Sequence, residues 1–266
     1  MKPHSQVIRV AYMVACVVLA IAPGRANAGP GLALAWNQCF GDAGFAQNAN
    51  FACNSNTGTH VMVGTFTLAS DMPKVTSMEI IIDVATASAA LPEWWRFHKP
   101  GSNSECRETS LSVNFVLDPA ATCVDWALGQ QVGGVITCPT GGPCVDSPKS
   151  PNATRIKLPV AVSILLGQNL TGGVAYFAFN VVMNNAKTVG AVLCAGCSVP
   201  ACIVLNSINV YDENSVNRFI SQPAAPGSNY VTWQGGGGVV VGDKIGCPAA
   251  TATRNSTWGS VKSLYR

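Results

Sequence analysis

Apolar and polar positions alternate with a period of two along most of this chain, which is the signature of half-buried β-strands. Residues 60–68 set Val61, Val63, Thr65 and Thr67 against Met62, Gly64, Phe66 and Leu68. After the turn-forming Ser70, Asp71, Met72 and Pro73, residues 75–85 form a second strand rich in β-branched types. The same reading predicts strands over 111–117, 133–136, 155–165, 173–183, 189–193, 202–210, 230–233 and 239–242. Residues 174–182 are apolar on both faces, as suits a central strand covered on both sides. About ten short strands separated by turn residues predict an all-β fold, an antiparallel β-sandwich of the Ig-like or jelly-roll type. Trp36 and Trp233, flanked by strand-like sequence, are expected in its core.

The ends break this pattern. Lys2 and Arg9 precede an uncharged apolar run over 10–22, and Ala26, Asn27 and Ala28 form a small-residue cleavage site, so residues 1–28 read as an export signal. That run is shorter than the roughly 20 residues of a membrane-spanning helix, so no membrane insertion is expected after cleavage. Residues 29–247 form the sandwich domain. Residues 248–266 are a linker and a short amphipathic helical tail, in which Trp258, Val261 and Tyr265 share one face. Docking on the domain and a sorting or attachment role both fit it.

Removal of Lys2, Arg9 and Arg25 with the signal leaves 13 basic residues against 13 acidic ones. A neutral surface without clustered cations excludes nucleic acid and anionic membranes as partners. Ten cysteines remain once Cys16 leaves with the signal, and an even set in an exported chain reads as disulfides. Proximity in sequence suggests Cys39 with Cys53, Cys106 with Cys123, Cys138 with Cys144, Cys197 with Cys202, and Cys194 with Cys247. The spacing of Cys194, Cys197 and Cys202 also suits a redox dithiol or a metal, but no helix follows to lower a thiol pKa and no histidine lies near. No metal and no cofactor are expected.

Catalytic motifs are absent from the sequence. His60 and His98 are the two histidines after residue 28, and no Gly-x-Ser-x-Gly elbow occurs. Glu93, Glu105, Glu108, Asp118 and Asp125 are candidates for a glycosidase carboxylate pair. Asp212, Glu213 and Asn214 read as a turn rather than a calcium loop, and Gly235 to Gly238 as a hairpin connection rather than a nucleotide loop. Asn152, Asn169 and Asn255 head glycosylation sequons.

The best lead is aromatic. Residues 91–98 place Trp94, Trp95, Arg96, Phe97 and His98 on a connection between strands. Trp94, Trp95 and Arg96, with Tyr230, are candidates for stacking a sugar or anchoring a protein, since Trp, Tyr and Arg dominate binding hot spots. The alternative puts one tryptophan in the core, because alternation along an extended chain sends neighbours to opposite faces.

The residues Trp36-Asn37-Gln38-Cys39, the segment 194–206 and the closing segment 257–266 resemble an uncharacterised group of exported bacterial proteins. That resemblance implies no activity and no site. The order of apolar strands with a cysteine-bearing return before Ile208 is similar to cohesin-like sandwiches, which implies binding of a partner module. The sequence therefore points to a non-catalytic binding or surface-structural module that is secreted, periplasmic or at the cell surface and recognises a protein or glycan there. The other reading is a secreted carbohydrate-active hydrolase using a carboxylate pair.

Overall fold

The computed structural model describes residues 29–97, 106–139, 144, 146–162, 167–236, 240–241 and 245–247. The expected signal, the tail, His98 and Glu105 lie outside these. The strands are β1 (Gly31–Trp36), β2 (Asn48–Ala49), β3 (Thr59–Thr67), β4 (Met72–Thr86), β5 (Leu111–Asn114), β6 (Val124–Asp125), β7 (Gln131–Gly133), β8 (Ile136–Pro139), β9 (Ala153–Val162), β10 (Gln168–Leu170), β11 (Ala175–Asn184), β12 (Ala201–Asp212), β13 (Asn217–Ile220), β14 (Tyr230–Trp233), β15 (Val240–Val241) and β16 (Ile245–Gly246). Glu93–Trp95 forms a 3-10 turn.

Two sheets make the sandwich. The five-stranded sheet runs β1-β3-β11-β5, with β6 beside β11. The nine-stranded sheet runs β2-β14-β12-β4-β9-β7, with β10 on β4, β13 on β12 and β8 on β9. Pairing is antiparallel except for β6 on β11 and β2 on β14. The period-two pattern explains the core: Met78, Ile80, Ile82 and Val84 of β4 and Ile156, Leu158 and Val160 of β9 join Leu32, Leu34, Phe66 and Val181 of the other sheet in one buried cluster. Apolar burial of this kind contributes roughly 25 cal/mol per Å² removed from water. Gly64 is required inside it, because a Cβ there would fall within the ring of Phe179, where β11 bulges past β3.

β11 is covered on both faces, as its sequence predicts. Its outer side chain Phe177 lies under the segment around Leu117 and Ala121, in a second cluster with Val63, Cys39 and Cys123. β1, which alternation did not single out, is buried throughout. Its free edge is satisfied by residues 222–228, through Leu32 N–H to the Gln222 carbonyl (2.9 Å) and Leu34 N–H to that of Ser228 (2.7 Å). The strand expected over 189–193 is instead a turn: Gly190 has φ 101°, and the Cys194 N–H closes onto the Lys187 carbonyl at 2.7 Å.

Five disulfides join Cys39 to Cys123, Cys53 to Cys197, Cys106 to Cys194, Cys138 to Cys144 and Cys202 to Cys247. Of the pairs expected from sequence proximity, Cys138–Cys144 alone forms. Cys197 and Cys202 cannot meet because the chain enters β12 between them. Cys197 belongs to the core cluster, while Cys202 lies in an outer cluster with Ala85, Ala153, Val204 and Cys247. With all ten sulfurs bridged, the Cys194 to Cys202 segment offers no thiolate for a metal or a redox step.

Candidate functional site

The aromatic lead resolves into core. Trp94 and Trp95 are both 0% exposed, so neither presents a face to a ligand. The expectation of opposite faces assumed extended chain; a 3-10 turn has three residues per turn and swings both rings inward. Trp94 packs on Trp233 (ring centroids 4.7 Å) and on Trp95 (5.1 Å), and its Nε1 donates to Thr188 Oγ1 at 3.1 Å. Arg96 is exposed, but its Nε donates to the Leu91 carbonyl at 3.1 Å and closes its own loop. Tyr230 is half-buried and packs against the outer cluster that contains Cys202 and Cys247. These four residues are not brought together into a contact surface.

Sequence reading missed Arg107, which lies over the Trp94 ring at 3.6 Å and is 1% exposed. Its guanidinium donates to the carbonyls of Trp94 (2.9 Å) and Asn184, and burial pushes its pKa down to about 9. Nothing local distinguishes an arginine between a cysteine and a glutamate as a core cation. His60 lies at the margin of this cluster, with its ring 4.1 Å from Phe51 and its Nε2 2.9 Å from Asn185 Oδ1. Burial lowers its pKa below 6.5, and this outweighs the Asn185 hydrogen bond, which raises it; the charge of Arg107 lowers it further.

A pH dependence follows. An unfolded His60 takes up a proton before the folded one does, so its contribution to stability is fully present above pH 6.5 and is lost as pH falls below that value toward the lowered folded pKa. Urea midpoints measured from pH 8 down to about 5 are expected to fall for the native chain and to flatten in His60→Gln. Parallel curves for the two proteins would rule out this contribution.

Of the candidate carboxylates, Glu93, Asp118 and Asp125 each sit in their own loop, and Glu105 lies outside the described residues. Glu93 is exposed on its turn, and Asp125 accepts the N–H groups of Ala127 (3.0 Å) and Gly129 (2.6 Å), closing its own loop. Asp118 accepts from Gln38 Nε2 at 2.9 Å and from the Ala120 N–H, which hold its pKa below the usual range. Asp212 accepts the N–H groups of Asn214 and Val216 (2.8 Å each), so that segment is the expected turn. Of two surface grooves, one of about 380 Å³ holds Asp118 as its single carboxylate and one of about 510 Å³ holds Glu79. Among the described residues, no group of three or more His, Cys, Asp or Glu is placed to hold a metal ion.

The larger groove lies on the outer face of the nine-stranded sheet, where register sets side chains in rows. One row runs Asn217, Tyr211, Ser77, Ala161 and Val132; the next runs Phe219, Asn209, Glu79 and Pro159; a third runs Ile81, Lys157 and Ile136. Phe219 (65%), Val132 (57%) and Ile136 (49%) are strongly exposed. Asn209 Nδ2 donates to the Tyr211 hydroxyl at 2.6 Å and fixes that ring.

Charge on this face is organised in depth. Asp83 is 0% exposed and is held by Arg155 Nε and Nη2, each at 2.8 Å, and by Asn206. Lys157 reaches Asp146 at 3.0 Å and Glu79 at 3.7 Å. The cations are sunk, with side chains 21% exposed for Arg155 and 22% for Lys157, whereas the carboxylates of Asp146 (43%) and Glu79 (47%) stand proud. Burial pushes the Asp146 carboxyl up, but the Lys157 hydrogen bond and the charges of Lys157 and Arg155 prevail and hold it low.

Toward one end the face is closed: outward positions pass from exposed Glu79 through half-buried Ile81 to buried Asp83 and Ala85, and Ala85 packs in one cluster with Cys247. No helix among the described residues is long and apolar enough to cross a membrane. Comparison with protein-family models and with curated proteins finds no match for this chain.

Proposed function

We propose that this is an exported, non-catalytic module that binds a protein partner through the outer face of its nine-stranded sheet. The observation that carries the reading is the open face itself: exposed Phe219, Val132 and Ile136 alternate with fixed polar groups on rigid strands. Apolar anchors rimmed by polar groups match the anatomy of protein interfaces. Five disulfides fit the oxidising compartment that export implies. A protein is favoured over a glycan because the described tryptophans are all buried, so none of them offers an exposed indole platform on which a sugar ring would stack. A hydrolase would need two free carboxylates facing one cleft; each groove is lined by a single one, and Asp146, which shares Lys157 with Glu79, is tied up by Lys157 and Arg155.

The test is to immobilise the native chain, Tyr211→Ala/Phe219→Ala, and Val116→Ala on the other sheet's side, and to expose each to proteins of the producing cell surface and to a glycan array. A protein ligand bound at least tenfold more weakly by the double variant alone, a loss of about 1.4 kcal/mol, is the expected result. Equal binding by all three, or binding to glycans only, would overturn the reading.

A further inference from the structure

We infer that the groove on the outer face takes an arginine side chain of the bound partner, with its guanidinium on Glu79 and its stem along Pro159 and Ala161. This rests on the proposed use of that face and names what the face recognises. The groove straddles two adjacent rows of the sheet, Tyr211, Ser77 and Ala161 in one and Asn209, Glu79 and Pro159 in the next. Register sets Glu79 directly between Asn209 and Pro159, with Tyr211 and Ala161 at its diagonals, all within reach of one long side chain. At about 510 Å³ the groove falls within the roughly 300–1,000 Å³ range of small ligand sites.

Charge selects a cation. Among the described residues lining the groove, Glu79 is the one charged side chain. Its ion-pair partner among the described residues, Lys157, stands 3.7 Å away, beyond hydrogen-bond reach, and lies nearer to Asp146 at 3.0 Å. The Glu79 side chain is 47% exposed, so a second cation reaches it without displacing the first. The other two cations of this face, Arg155 and Lys157, are sunk and engaged by carboxylates, which leaves an anionic ligand nothing to pair with in the groove. A guanidinium suits the site better than an ammonium. It takes a carboxylate in a bidentate fork, and it stacks on an aromatic ring, which Tyr211 supplies beside Glu79 with its hydroxyl fixed by Asn209 Nδ2 at 2.6 Å. Pro159, Ala161 and Val132 are exposed and carry no polar side-chain atom, as the methylene stem of an arginine requires. Phe219, exposed at the end of the Asn209 row, is left for an apolar residue flanking the arginine.

The probe is a set of four capped tripeptides, leucine on either side of arginine, lysine, citrulline or glutamate, titrated into the isotope-labelled purified chain while backbone amide shifts are followed by NMR. Citrulline is the uncharged isostere of arginine and isolates the charge. Saturable shifts centred on Ser77, Glu79, Asn209 and Tyr211 are expected, with the arginine peptide bound roughly fivefold more tightly than the citrulline peptide and also more tightly than the lysine peptide. In Glu79→Gln, whose spectrum away from the groove should stay native, the advantage of arginine over citrulline is expected to disappear; in Tyr211→Ala, arginine should fall to the level of lysine. Any of four results would overturn the inference: no saturable binding of the arginine peptide, shifts centred instead on the groove around Asp118, equal binding of arginine and either lysine or citrulline, or a charge preference undiminished in Glu79→Gln. The binding face itself fails on a different measurement, the capture of a protein ligand by Tyr211→Ala/Phe219→Ala as strongly as by the native chain.

Discussion

Replacing Cys53 and Cys197 by serine is expected to lower stability by about 4 kcal/mol, twice the loss from replacing Cys138 and Cys144. The difference lies in the loops closed. Cys53 and Cys197 are separated by 144 residues, but the bridges Cys39–Cys123 and Cys106–Cys194 shorten the covalent path between them to about 34 residues. Loop-closure entropy for that path is worth about 4 kcal/mol; the six-residue separation of Cys138 and Cys144 is worth about 2 kcal/mol. Urea unfolding read by far-UV circular dichroism should show the midpoints in that order, with the larger loss equivalent to a fall in Tm of roughly 10 °C. Reversal of the order would mean that native packing around the fully buried Cys138, rather than restriction of the unfolded chain, dominates the effect.

Those bridges also mark where sequence reading ran out. Strands were legible because a sheet with one face buried imposes a period of two, and β3, β4, β9, β12 and β14 lie within three residues of their expected bounds. β1 hid because Gly31–Trp36 is buried on both faces and so does not alternate. The disulfides were illegible because sequence proximity says nothing about which side of a sheet a residue faces: Cys197 and Cys202 are five apart and separated by the sheet itself. The outer face was illegible for a related reason. Its rows join β13, β12, β4, β9 and β7, and no single stretch contains Phe219, Glu79 and Pro159.

Trp94→Ala is expected to cost about 4 kcal/mol, in the range of buried tryptophan truncations, although the same residue in sequence reads as a candidate surface anchor. Its ring is 0% exposed and packs against Trp233, Trp95 and Phe97 at 4.7, 5.1 and 6.4 Å, so no single neighbour can collapse into the space it leaves. The Arg107 guanidinium, 3.6 Å above that ring, would lose the aromatic face that offsets its desolvation. Its bond to the Trp94 carbonyl survives the substitution, because that acceptor belongs to the backbone. Trp94→Phe keeps an aromatic face under Arg107 and should recover part of the loss, whereas Arg96→Ala, exposed two residues away, should change stability by less than about 0.5 kcal/mol. Equilibrium urea denaturation of the three variants separates the two roles. A native midpoint for Trp94→Ala together with lost partner binding would return that ring to the surface. A lowered midpoint for Trp94→Ala, with Phe219→Ala unchanged in stability and weakened in binding, would place the recognition surface on the outer sheet face and the aromatic segment in the core that supports the fold.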